Sequence, residues 1–408
     1  MKLRTGTPDE VGMSAARMRH VTQLAQGWVD QGLTPALVVL VARRGVIVLH
    51  EAFGRLTPAA DAPALPRDTI FPMASISKPM TATAIMILVE EGRLGLNRPV
   101  MEYIPELRGE GKGAIMVHHL LTHTSGLRDE DIWPHVENKF LSGLSVPPPA
   151  AIQHPMLHRW LTYGYDIPLW KIPGIEMSYS NYGYELLGEI VRRVSGQSLH
   201  DFATARIFAP LGMKDSGYIT PEHLAPRVIR RSPTAYMASP QNPEWGAMPT
   251  IIHAIYGGFD SRPLQVLPAA SGGVFTTAED LAIFAQLFLN RGHYGGQRIL
   301  SPTTVAAMTR NQIPGISAEY NGEYLPEASW GFGWEIHGQK KPNYDGTLHS
   351  PQTFSHGGAG GVYFWVDPVY ELVGVYFSVV QKPTDDGHHP IWQVDYFVNA
   401  VTAAIIDE

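Results

Sequence analysis

A helix with no polar face survives in water only inside a larger body, and residues 71–94, "FPMASISKPMTATAIMILVEEGRL", carry one. From Ala82 to Val89 the run is apolar almost without break, so this helix is buried on most sides and the rest of the chain must cover it. Pro79 fits near the helix start, because the first four N–H groups of a helix have no internal partner to lose. At 408 residues the chain is long enough for one large compact unit or for two lobes sharing a cleft.

Strand signals lie at both ends of the chain. After an amphipathic helix over roughly residues 13–32, "PALVVLVARRGVIVLHEAFGRLT" gives two strand-like runs about Arg43-Arg44-Gly45, the pattern of a hairpin. Near the C-terminus, "SWGFGWEIHG", "TFSHGGAGGVYFWVD" and "ELVGVYFSVVQ" read as successive antiparallel strands, with turns at Asp367-Pro368 and before Thr353. The helix "IWQVDYFVNAVTAAIIDE" closes the chain. Between the ends, short helical pieces alternate with loops rich in proline and aromatics. The expected fold is α/β of the α+β type: one antiparallel sheet built from both termini and flanked by helices (1–98 and 266–408), with a mostly helical lobe (99–265) inserted.

Composition excludes several functions. Hydrophobic content of 44% and charged content of 17% describe an ordinary globular chain. A formal charge of -7, with no basic run, argues against nucleic acid or an anionic membrane as partner. There is no cysteine, so disulfides, thiol catalysis and Cys-ligated zinc are ruled out. The opening "MKLRTGTPDEVGMSAARM" has no apolar stretch behind its charges, and the longest apolar runs are too short to span a bilayer. A cytoplasmic location is expected.

Three stretches carry candidate chemistry. Ser75 and Lys78, at i and i+3, share a helical face and can touch. A lysine whose charge is tempered by burial would activate the serine; otherwise Ser75 is a cap and Lys78 a solvated charge. Tyr179 and Asn181, two apart in "SYSNYGYELLG", point to one side if the segment is extended. They read as a general base and an orienting amide, or as packing and capping residues before a helix. "FSHGGAGG", with His356 to Gly361, opens a strand where glycines permit close approach of a substrate and leave N–H groups for an oxyanion, or form a plain turn.

In this order and spacing the three stretches resemble the motifs of the serine β-lactamase and penicillin-binding-protein superfamily. The likeness is greatest to class C β-lactamases, D,D-peptidases and family VIII carboxylesterases. Further matching phrases are "LLTHTSGL" (120–127), "PLGM" (210–213), "SGGVFTTAEDLAIF" (271–284) and "ILSPTTVAAM" (299–308). The resemblance covers nearly the whole chain and implies the β-lactamase/transpeptidase-like fold. It implies that Ser75 is the nucleophile, Lys78 its activator, and Tyr179 the general base that later protonates the leaving group. Asn181 would hold Lys78 and substrate, and His356, Gly357 and Gly358 would form the substrate-facing strand. The backbone N–H groups of Ser75 and Ala359 would make the oxyanion hole. The β-lactamases usually carry Lys-Thr-Gly at the third motif; His356 supplies only fractional charge near neutral pH, which weakens the demand for a carboxylate-bearing substrate.

The expected activity is therefore a carboxylesterase acting on short-chain esters through an acyl-enzyme, with a small-molecule ester or amide as its partner and no cofactor. Alternatives are a D-aminopeptidase or D,D-peptidase, a weak β-lactamase, an acyltransferase, and a non-catalytic penicillin-recognising protein. The Gly-x-Ser-x-Gly elbow of α/β-hydrolases occurs nowhere. His119 and His123 stand at i,i+4, but Leu120 follows His119, so the His-Glu-x-x-His zinc pattern is missing and no metal is expected. His388 and His389 read as loop residues. Aromatics in "HRWLTYGYDIPLW" (158–170) and Trp245 either line an acyl pocket or pack the helical lobe.

Overall fold

Leu37, Val39 and Val41 alternate with Val38, Leu40 and Ala42 along one strand, and all six are buried, so this strand must be covered on both faces. The computed structural model describes residues 2–230, 262–320, 323–339, 345–379 and 393–407. It places that strand inside a seven-stranded sheet, third from one edge. In chain order the strands are β1 (Arg4–Thr5), β2 (Ala36–Arg43), β3 (Val46–Gly54), β4 (Glu335–Ile336), β5 (Phe354–Gly358), β6 (Val362–Asp367) and β7 (Leu372–Ser378). Their order across the sheet is β1-β3-β2-β7-β6-β5-β4. The two ends of the chain therefore meet where β2 pairs antiparallel with β7.

The sheet departs from expectation in three places. β1 pairs parallel with β3, so one edge is not antiparallel. "SWGFGWEIHG" contributes only the two residues of β4 to the sheet. "TFSHGGAGGVYFWVD" is two strands rather than one, folded back at 359–361 where Gly360 and Gly361 have φ of 96° and 90°. Those angles are open to glycine at little steric expense, and they turn the chain within three residues. The hairpin at Arg44-Gly45 has positive φ at both positions (49° and 77°), the condition for a two-residue turn whose twist matches its strands.

Helices cover both faces. On one side lie α1 (Ala15–Asp30), capped by Ser14 Oγ accepting from Arg17 N at 3.3 Å, and the C-terminal α6 (Val394–Thr402). They bury Leu37, Val39, Val41, Tyr363, Trp365 and Tyr376. On the other side lie α2 (Ser77–Glu90) and α5 (Ala278–Leu289), against Val38, Leu40, Phe364 and Val375. The described residues between Gly54 and Glu335 add no strand to this sheet and include α3 (Asp129–Leu141) and α4 (Asn181–Ser195). Ile104, Leu161, Tyr184 and Leu187 from that helical part share one continuous core with the α2 face of the sheet. α2 runs through this core with every residue from Ser77 to Leu88 buried, as its sequence requires. Trp245, His388 and His389 lie outside the described residues. Among the described residues no helix is long and apolar enough to cross a membrane.

Candidate active site

Ser75 does not lie in α2 itself. It occupies a 3-10 turn, Ala74–Ile76, that feeds the helix, while Lys78 and Pro79 fall in the first helical turn. Ala74 is held at φ 45°, a conformation that L-residues adopt at a steric penalty of about 1 kcal/mol or more. Surrounding bonds enforce it: Met73 N donates to Val274 O at 2.8 Å, and Val274 N donates to Ser77 Oγ at 2.9 Å. The result is a sharp, clamped bend that presents Ser75 at the helix mouth. Its hydroxyl stands 3.1 Å from Lys78 Nζ.

Lys78 is fully buried and donates to Ser75 Oγ, to Asn181 Oδ1 at 2.7 Å and to the Ser271 carbonyl at 2.9 Å. Burial penalises its charged form and pulls its pKa down to about 7, against the opposing pull of Asp129 and Glu185. Near neutral pH a large fraction of this amine therefore carries a free lone pair beside the serine hydroxyl. The Lys78 Nζ also sits 4.7 Å from the centre of the Tyr179 ring and 5.5 Å from that of Tyr184.

Two buried carboxylates stand behind the lysine. Asp129, at the start of α3, accepts from Ser180 Oγ, Asn181 N, Asn181 Nδ2 and Tyr182 N at 3.1, 2.8, 2.8 and 3.3 Å. It thereby caps the N-terminus of α4 with a negative charge, where the helix dipole favours one. Asn181 is an intermediary: its Nδ2 donates to Asp129 and its Oδ1 accepts from Lys78, which fixes the amide orientation. Glu185, one turn along α4, accepts from Ala270 N, Ser271 N and Ser271 Oγ and so positions the carbonyl that Lys78 meets. Burial raises the pKa of both carboxyls, while the bonds they accept work the other way.

Tyr179 stands in an aromatic frame. The His123 ring stacks on it at 4.3 Å between centroids, Trp330 meets it edge-on at 6.0 Å, and His356 lies at 6.4 Å. His123, itself at φ 58°, accepts from Ser180 N through Nδ1 at 3.0 Å, so its proton is on Nε2. Burial, with the Lys78 charge nearby, holds the pKa of His123 well below its ordinary value and keeps the ring neutral.

β5 supplies the opposite wall. A Cβ on Gly358 would sit 2.3 Å from the Met73 carbonyl oxygen, so only glycine lets this strand approach the turn that carries Ser75. Ala359 follows directly and opens the turn to β6. His356 is 3% exposed, and burial together with the Lys78 charge brings its pKa down to about 3. The expected fractional charge is therefore absent at neutral pH: His356 is a neutral ring whose Nδ1 hydrogen-bonds the Gly357 carbonyl at 2.7 Å.

The structure thus brings Ser75, Lys78, Tyr179 and Asn181 together, with His356, Gly357 and Gly358 along one side. Asp129, Glu185, Ser271 and Trp330 were not singled out from sequence. Glu185 had a usable signal, since it is four residues from Asn181 on a helix; Asp129 had none, being one of three acids in the first turn of α3. His119 and His123 do not converge on a metal position: His119 Nδ1 accepts from Met116 N, and His123 faces Tyr179. In 158–170, Trp160 packs against Trp133 and Tyr182, and Trp170 lies beneath Arg128 and Lys171, so these aromatics pack the helical lobe.

Known proteins share this framework. Protein Rv1367c of Mycobacterium tuberculosis is 29% identical over 378 residues, covering 85% of this chain and 86% of its own. A penicillin-binding protein homologue from Caulobacter crescentus superposes with a TM-score of 0.72 at 22% identity, over 96% of this chain and 99% of that one. A family VIII carboxylesterase gives 0.67 at 21% identity, over 90% and 93%. These two likenesses establish the fold, and the Beta-lactamase family model matches residues 21–396, from within α1 into α6. That match spans more than nine-tenths of the sequence, and the chain belongs to the Beta-lactamase family.

Proposed function

We propose that this protein is a carboxylesterase for short-chain esters, working through an acyl-enzyme on Ser75. The observation that carries the reading is the buried Lys78 amine, with a pKa of about 7, at 3.1 Å from the Ser75 hydroxyl. A base titrating near the working pH combines a useful unprotonated fraction with a useful driving force for proton transfer. In the first step the neutral Lys78–Tyr179 unit takes the Ser75 proton as Oγ bonds to the ester carbonyl carbon. Negative charge moves to the carbonyl oxygen, where the N–H groups of Ser75 and Ala359 receive it. Collapse of this intermediate breaks the bond to the alcohol oxygen, which leaves with the proton returned through Tyr179. Water then attacks the acyl carbon by the same route in reverse and frees Ser75.

The preference for esters rests on His356. A neutral ring beside the substrate strand offers no fixed charge to a carboxylate, so binding energy comes from the acyl and alcohol groups. A family VIII carboxylesterase among the structural neighbours agrees with this reading; the penicillin-binding protein homologue keeps a peptidase as the second one. A panel of p-nitrophenyl esters of rising chain length, assayed beside nitrocefin, a penicillin and a D-alanyl amide, separates them. Short esters should give the highest kcat/KM. An equal or higher value for the penicillin or the D-alanyl amide would reverse the assignment.

A further inference from the structure

Away from Ser75, the α6 side of the sheet holds a cluster that the mechanism does not use. His337 follows β4, and its backbone N–H donates to Thr353 O at 2.9 Å, just ahead of β5. His349 and Asp345 belong to the segment that leads to β5, which Asn399 of α6 pins by accepting from Thr347 N and Leu348 N at 2.8 and 3.1 Å. One donor atom from each of His337, Asp345 and His349 lies within 4.8 Å of the others.

Several details point to these side chains sharing one ligand. His349 is 6% exposed, yet neither of its ring nitrogens has a hydrogen-bond partner, a large penalty for a buried imidazole. Its Nε2 faces Asp345 Oδ1 at 3.8 Å, too far for a hydrogen bond and about right for two atoms sharing a third between them. The His337 and His349 rings are only 3.7 Å apart between centroids at 65°, closer than packing alone usually brings two rings. Meanwhile the Tyr363 hydroxyl from β6 donates to Asp345 Oδ2 and leaves Oδ1 turned toward the histidine. An outer group that orients a carboxylate in this way is what a metal ligand normally has.

We propose that His337, Asp345 and His349 bind one divalent transition-metal ion, with zinc favoured by the two-imidazole, one-carboxylate donor set. Tetrahedral bonds of about 2.0–2.2 Å space the donors by about 3.3 Å, so small side-chain rotations close the present gaps. The ion would clip the segment before β5 to the edge strand β4 and act as a structural tie, with water at the fourth position. It lies on the face of the sheet turned away from α2, so it takes no part in the Ser75 chemistry.

The test uses the full-length protein, stripped with dipicolinate and titrated with zinc while bound metal is counted by mass spectrometry. One tightly held zinc per chain is expected, together with a rise of several degrees in the unfolding midpoint. Cobalt in its place should give the strong visible bands of a four-coordinate site. His349→Gln and Asp345→Asn should each lose the metal and the thermal shift while retaining ester hydrolysis. Substoichiometric zinc in the wild type, or full zinc binding in both variants, would overturn the assignment. It would leave the cluster as a simple His–Asp ion pair. If His349→Gln does not fold, the wild-type cobalt spectrum and the Asp345→Asn titration still decide the matter. Because none of these readouts depends on turnover, failure here is distinguishable from failure of the esterase reading.

Discussion

Replacing Asp129 by asparagine should shift the acid limb of the pH–rate profile to lower pH. Asp129 does not touch Lys78; the Asn181 amide stands between them, with bonds of 2.8 and 2.7 Å on its two sides. Its negative charge nonetheless favours the protonated lysine and opposes the effect of burial. Across a separation of roughly 7 Å, at an effective dielectric constant near 20, that attraction amounts to roughly 2 kcal/mol. Removing it should lower the Lys78 pKa by about 1.5 units, since one unit corresponds to about 1.4 kcal/mol. The sign follows directly: a carboxylate raises a neighbouring amine's pKa, so its loss lowers it. The acid limb of kcat/KM for p-nitrophenyl acetate, expected near pH 7 in the wild type, should therefore move down by one to two units in Asp129→Asn. The plateau should also drop, because the new amide can replace only part of four accepted hydrogen bonds. The position of the limb, unlike its height, does not depend on how much protein is correctly folded. A limb that stays in place or moves upward would refute the view that Lys78 is the titrating base.

Three further outcomes follow from the same geometry. Ser75→Ala should lower turnover by about 10⁴-fold or more, and a fluorophosphonate adduct mapped by mass spectrometry should sit on Ser75; an adduct on another serine would overturn the mechanism. Lys78→Ala and Tyr179→Phe should each be severely impaired, and the double variant should lose far less than the product of the two, since the proposed mechanism joins both in one proton-transfer unit. Gly358→Ala places a Cβ 2.3 Å from the Met73 carbonyl oxygen, so kcat should fall while the β5–β6 pairing keeps most of the stability. A calorimetric midpoint that falls as steeply as the activity would argue against this.

The parts of this architecture that depend on local pattern were open to sequence reading. The apolar run of α2, the Arg44-Gly45 turn and the apolar run of β2 each carry their signal in consecutive residues, and each forms where that signal puts it. The Ser-x-x-Lys and Tyr-x-Asn spacings were equally visible, since each is set by one turn or one extended step. What sequence could not supply is contact between segments. Asp129 meets Asn181 across 52 residues, and Lys78 meets Ser271 across 193, so nothing in either neighbourhood announces the partner. The charge of His356 is beyond sequence for the same reason. A histidine's ordinary pKa is a property of the free side chain, whereas burial and the charge on Lys78 are properties of the assembled fold.

That assembly would suit a lysine to the base role proposed for it. Lys78 comes from α2, on the sheet side of the core, whereas Asp129 and Glu185 come from the helical part. Burial alone would drive the amine toward a pKa so low that it could hardly carry the serine proton through the step. Two carboxylates in direct contact would instead keep it protonated as an ordinary salt bridge. The fold lies between these limits because Lys78 meets the two acids only indirectly, Asp129 through the Asn181 amide and Glu185 through Ser271, whose carbonyl accepts from Lys78 while its N–H and hydroxyl donate to Glu185. Each intermediary supplies a neutral acceptor at 2.7–2.9 Å and holds the full negative charge one residue further back. A titration point near 7 is thus a balance struck between two parts of one core, and it exists only while α2 and α4 remain packed together.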